Sequence, residues 1–118
     1  MEIRTNTKEN VSIMQLVGEL DAGNAVLVDA ELLYLIKRAP KQLWIDGKEL
    51  HYISSAGLGV FLSHLPAIKS AQINLVFYNL NAKIRNVFNI LGLDEMLQIV
   101  PDQESAMEYF GQPQNQDL

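Results

Sequence analysis

Asp46-Gly47-Lys48-Glu49-Leu50-His51-Tyr52-Ile53-Ser54-Ser55-Ala56-Gly57-Leu58-Gly59-Val60 is the stretch on which the fold assignment turns. It begins at the end of Gln42 to Asp46, where Leu43, Trp44 and Ile45 are apolar without alternation. That pattern predicts a short central strand covered on both faces. A loop over Gly47 to Ile53 is expected next, and then a helix opening at Ser54-Ser55. From there Leu58, Phe61, Leu62, Leu65 and Ile68 recur at helical spacing. Pro66 predicts a kink or an early end to that helix. In open α/β sheets, ligands and partners bind at such strand-to-helix edges.

Working outward, the same alternation of elements continues in both directions. Ile3, Thr5 and Thr7 alternate with polar neighbours, Lys8-Glu9-Asn10 supplies a turn, and Val11 to Val17 follows as a second strand ended by Gly18. Ala25, Val28, Leu32, Leu35 and Ile36 mark one face of a helix over Ala25 to Arg38. Asp21 or Asn24 can cap its start. Lys37 and Arg38 suit the negative end of its dipole, and Pro40 closes it. Downstream, Ile73 to Tyr78 reads as another central strand, and Ile84, Val87, Phe88 and Leu91 as a third helical face with Gly92 at its C-terminal cap. Leu97 to Val100 reads as a short edge strand before Pro101, and Asp102 as the cap of a last helix. After the opening hairpin, strands alternate with helices. The expected fold is α/β, with a central mixed sheet of four to five strands, parallel at its centre, and helices packed on it.

The 118 residues fit one domain, expected over 1–110, with a polar tail over 111–118 expected to be disordered. At 48% hydrophobic and 19% charged, the balance is that of an ordinary globular chain. With no cysteine, a disulfide framework and Cys-based zinc sites are excluded. No secretion signal is evident in Met1 to Asn10, and no apolar run approaches the roughly 20 residues of a membrane span. A soluble, cytoplasmic protein without membrane insertion is expected. The net charge is −5 and the nine basic residues are scattered, which argues against direct nucleic-acid binding.

The serine pair carries the chemistry. A helix N-terminus presents free N–H groups and roughly half a positive charge. A phosphate on a serine there would be met by those groups, and would bring about −1.5 to −2 charges at neutral pH. Gly57 and Gly59 each cost a helix interior about 1 kcal/mol relative to Ala. Their presence implies that something approaches this turn closely: another backbone, a partner or a nucleotide.

Tyr52-Ile53-Ser54-Ser55-Ala56-Gly57-Leu58-Gly59-Val60 resembles the signature of STAS domains in bacterial anti-sigma factor antagonists. Gly18-Glu19-Leu20-Asp21 resembles a second family motif, and Asp46 stands where the family commonly has Asp or Asn. The resemblance covers about Glu2 to Phe110. It implies that Ser55 is the serine phosphorylated by a partner kinase, and that Asp21, Ser54, Ser55, Ala56, Gly57 and Leu58 form the partner-binding site. Asp21 would lie near the Ser55 loop. Ser54 departs from the family's usual Asp, and Gly47 replaces a usual apolar residue, which predicts an altered strand end. The implied function is partner switching. The free hydroxyl form binds an anti-sigma factor that is also a serine kinase, phosphorylation separates the pair, and a PP2C-type phosphatase restores the serine. A related role on the same fold is a STAS subunit of a lipid ABC transporter, or of another non-sigma pathway.

Other readings of these residues fare less well. Gly57-Leu58-Gly59 lacks the third glycine of a dinucleotide loop. Gly-x-Ser-x-Gly is missing too, and no cofactor loop or metal-ligand spacing emerges, so neither a cofactor nor an enzyme activity is expected. Asp21 and Asp46 read as turn caps at strand ends, and His51 and His64 as surface or rim histidines. Val26, Leu27, Leu33 and Tyr34 fall outside the core-facing arc of the first helix. That breadth fits either deeper burial or a surface for a partner or a second copy, a homodimer through the first helix.

Overall fold

The computed structural model describes residues 1–110; the tail expected over 111–118 lies outside the described residues. The chain runs β1 (Glu2–Lys8), β2 (Val11–Leu20), α1 (Ala25–Lys37), β3 (Gln42–Asp46), β4 (Leu50–Ile53), α2 (Ser55–Ser70), β5 (Asn74–Tyr78), α3 (Ala82–Ile90), a 3₁₀ turn at Leu93–Glu95, β6 (Gln98–Ile99) and α4 (Gln103–Phe110). The sheet order is β1-β2-β3-β5-β6, with β4 paired to β2. β1 and β2 are antiparallel, and every other pairing is parallel.

Alternation divides the core between the two faces of the sheet. Leu43 and Ile45 of β3 and Phe77 of β5 join α1, α2 and α3 in the larger cluster. Trp44, Val76 and Tyr78 point the other way, to a smaller cluster closed by Ala106 and Met107 of α4. Apolar residues at consecutive positions in β3 thus have a destination on each side, as the unalternating pattern implied. Trp44 meets Tyr78 edge to face, and its indole N–H donates to Gln42 Oε1 at 2.9 Å. Burial and the nearby Asp46 charge push the Tyr78 phenol above its ordinary pKa, so it stays neutral.

Three expectations need correction. The segment read as a loop from Gly47 to Ile53 contains β4, so the sheet has six strands. β2 also passes Gly18 and ends at Leu20. Gly18 adopts φ 108°, where only glycine is at ease, and the register shifts between Gly18 and Glu19. The first half of β2 pairs with β3, and the last residues pair with β4. The third concerns the early end expected at Pro66, which does not occur: the residue lies inside α2. Proline removes one helical hydrogen bond. Burial of Phe61 before it and Ile68 after it in the same cluster ties both halves to the sheet.

Gly47 follows the end of β3 in close contact with the next turn. A Cβ there would lie 2.6 Å from Leu80 Cδ2, and its N–H donates to Tyr78 O at 2.9 Å. The C-terminal end of β3 is thereby drawn against the β5–α3 turn. Helix α3 is capped by Asn81, whose Oδ1 accepts from Ile84 N at 2.8 Å, and Gly92 follows it in the left-handed region. Asp102 caps α4 by accepting from Ser105 N at 2.8 Å, and that bond lowers its pKa.

Candidate functional site

The site is built where β2, β4 and α2 meet. Ser54 N donates to Leu20 O at 2.8 Å, which fastens the β4–α2 junction to the end of β2. Ser54 has extended backbone angles, and its hydroxyl accepts from Gly57 N at 3.1 Å. Either serine could have capped the helix on sequence grounds; the structure gives that work to Ser54. Ser55 is the first residue of α2, and its side chain is exposed. Of the N–H groups of this first turn, that of Gly57 is taken up by the Ser54 hydroxyl, and Ser55-Ala56-Gly57 holds no carboxylate. No acidic side chain in the first turn offsets the positive end of the helix where the Ser55 hydroxyl stands.

The loop before α1 forms the neighbouring wall. Asp21 Oδ1 accepts from Asn24 N at 3.0 Å, and Asn24 Oδ1 accepts from Asp21 N at 2.9 Å. Asn24 Nδ2 also donates to Glu19 O at 2.9 Å. This reciprocal pair rigidifies the turn, and Asn24 occupies the cap position of α1 without a side-chain bond into the helix. Asp21 directly follows Leu20, the residue bonded to Ser54, so the family-based expectation that it borders the serine loop holds in the backbone. Asp21 is exposed.

The expected partner-binding residues separate into two groups. Asp21, Ser55 and Ala56 are exposed and Ser54 is half-buried. Gly57 and Leu58, the other two residues expected in the contact set, are buried. Leu58 belongs to the main core cluster. A Cβ on Gly57 would lie 2.6 Å from Leu20 Cγ and 3.2 Å from Ile53 Cγ1. What approaches Gly57 is the protein's own strand β2. Gly59 is different: it is exposed, and nothing lies within 4 Å of its absent Cβ. It stands one helical turn after Ser55 on the same face. Tyr52, at 49% exposure, was passed over as a contact residue; it pairs in register with Glu19, beside the site. Its only signal in the sequence was an aromatic two residues ahead of the serines.

Of the remaining polar candidates, Asp46 and His64 have structural employment. Asp46 accepts from Lys48 N at 3.0 Å and Asn79 Nδ2 at 3.2 Å, holding the two turns at the strand ends together. His51 is exposed on β4. His64 Nε2 lies 2.7 Å from Asp29 Oδ1, so this histidine clamps α2 to α1.

A mixed sheet with a capped serine at the mouth of its second helix defines the class of STAS-like α/β domains. A family model for the STAS domain matches residues 2–106, and the chain belongs to that family. It is 32% identical to the anti-sigma-B factor antagonist of Listeria monocytogenes over 100 residues, 84% of this chain and 86% of the relative. Among solved structures, an anti-sigma factor antagonist from Mycobacterium paratuberculosis matches with a TM-score of 0.80 at 19% identity, covering 92% of each chain. The Bacillus cell fate determinant SpoIIAA in its phosphorylated form matches with a TM-score of 0.70 at 18% identity, covering 92% of this chain and 99% of that one.

Proposed function

We propose that this chain is an anti-sigma factor antagonist, a single STAS domain over 1–110, working as a phosphorylation-dependent partner switch with Ser55 as the acceptor. The observation that carries the reading is the division of labour between the two serines. Ser54 spends its oxygen on the helix cap, and Ser55 keeps an exposed hydroxyl at the positive end of α2. The Listeria monocytogenes relative bears the name of an anti-sigma-B factor antagonist, and the fold is shared with a SpoIIAA solved in a phosphorylated form.

In this reading the unmodified face of Asp21, Ser55, Ala56 and Gly59 docks on an anti-sigma factor that is also a serine kinase, in the cytoplasm. Phosphorylation transfers the γ-phosphoryl group of ATP to Ser55 Oγ. A bond forms from Oγ to phosphorus, the bond to the β–γ bridging oxygen breaks, ADP leaves, and the hydroxyl proton passes to a base of the kinase. The new group is stabilised by the open N–H groups of α2 in the free protein. In the complex it must be desolvated, close to the Asp21 end of β2, so charge repulsion and lost hydration both favour separation. A PP2C-type phosphatase returns the hydroxyl by hydrolysis. The protein contributes a switchable surface and no catalytic group of its own.

The test is incubation with a candidate kinase and ATP, followed by intact-mass analysis. One phosphoryl group is expected on the native chain and none on Ser55→Ala. A Ser55→Ala chain that still gains the group would move the acceptor elsewhere. A STAS subunit of a transporter, the other role open to this fold, would bind its partner with no phosphoryl transfer at all.

A further inference from the structure

Helix α1 has two apolar faces, and the sheet uses one of them. Ala25, Val28, Leu32, Leu35 and Ile36 are buried. On the outside, Val26 is 64% exposed, Leu27 50%, Leu33 46% and Tyr34 52%, with Ala30 exposed between them. Val26, Ala30, Leu33 and Lys37 follow one another at steps of four, three and four residues, the spacing of a helix-pairing seam. Leu27 and Tyr34 flank that seam one heptad apart. The two carboxylates of the helix are held to its sides by the protein itself: Asp29 by His64 at 2.7 Å, and Glu31 by the Thr5 hydroxyl at 2.7 Å. The seam from Val26 to Tyr34 is left without charge.

We infer that a second copy of this chain covers this face, α1 against α1, antiparallel about a twofold axis between Ala30 and Leu33. Three features select that occupant and orientation. Antiparallel pairing sets the small Ala30 opposite the large Leu33 of the other copy, twice, as a self-complementary contact requires. It also brings the Lys37-Arg38 end of each helix to the Asp21 end of the other, joining opposite charges at both ends. A parallel pair would stack like charge on like. Arg38 is already stacked on Tyr34, with its guanidinium carbon 4.0 Å from the ring centroid, which pre-orders part of the surface. Two helices about 20 Å long bury an area at the low end of specific interfaces, so the dimer is reversible and concentration-dependent rather than obligate. This inference does not rest on the Ser55 reading, although the two surfaces meet at Asp21.

The sequence contains no cysteine, so single introduced thiols report on the geometry without interference. Ala30→Cys, near the axis, should cross-link to its twin with a short bis-maleimide. Val26→Cys, displaced from its twin by about 16 Å along the helix, should not. Sedimentation velocity of the native chain should show a monomer–dimer equilibrium, which Leu33→Arg weakens by about tenfold or more with unchanged circular dichroism. A native chain that stays monomeric at about 1 mM, equal cross-linking at both positions, or a dimer indifferent to Leu33→Arg would overturn the inference. So would a monomeric chain whose α1 face binds only a different protein.

Discussion

Gly57 and Gly59 lie on the same turn of α2, and their surroundings are opposite. At Gly57 the missing side chain is filled by Leu20 and Ile53 of the chain's own strands. At Gly59 there is open solvent, and a helix penalty of about 1 kcal/mol has no return inside the monomer. One glycine is a packing requirement; the other meets no packing constraint within the described residues. The comparison separates the inner half of the serine helix, which packs on the chain's own strands, from the outer half, which is open to solvent.

Three substitutions probe that division, and a fourth probes a cap elsewhere in the fold. Gly57→Val carries the largest expected effect on stability. Leu20 is fully buried and cannot retreat, so the variant should lose about 3 kcal/mol in denaturant unfolding. A Gly57→Val chain as stable as the native one would dissolve the distinction between the glycines. Removing the cap with Ser54→Ala should cost about 1 kcal/mol in the same measurement and leave the Ser55 acceptor in place. Gly59→Ala should do the reverse of Gly57→Val. It should raise stability by up to about 1 kcal/mol, while calorimetric affinity for the anti-sigma partner falls. Unchanged affinity in that variant would place the docking surface away from the outer face. The smallest effect is remote from the site. Asp102 has a folded pKa below its unfolded value, so its cap contribution is present above the ordinary carboxylate range and is lost as pH falls through the lowered value. Acid titration of an Asp102→Asn chain should lack that step.

Much of the architecture could be read from apolar spacing. The first helix, the two central strands and the third helix carry long or dense patterns, and each lies within a residue or two of its expected place. β4 escaped because only Leu50 and Ile53 of its four residues are buried, while His51 and Tyr52 are exposed. Its partner is the end of β2 beyond Gly18, where a glycine seemed to finish the strand. The early end expected at Pro66 does not occur: the local penalty of proline is visible in sequence, whereas the core contacts on both sides of it are not. At the site, the residue types and the Ser55 position were legible from the motif. Which serine caps, and which glycine faces inward, depended on Leu20 arriving from a strand more than thirty residues earlier, a contact that no local pattern encodes.

The central claim is that charge at Ser55 breaks a docked complex while the fold persists. It is tested most directly by isothermal titration of the native and Ser55→Asp chains against the anti-sigma kinase partner. The account predicts at least a tenfold loss of affinity, about 1.4 kcal/mol, with the unfolding midpoint held. Equal affinity for the two chains would contradict it.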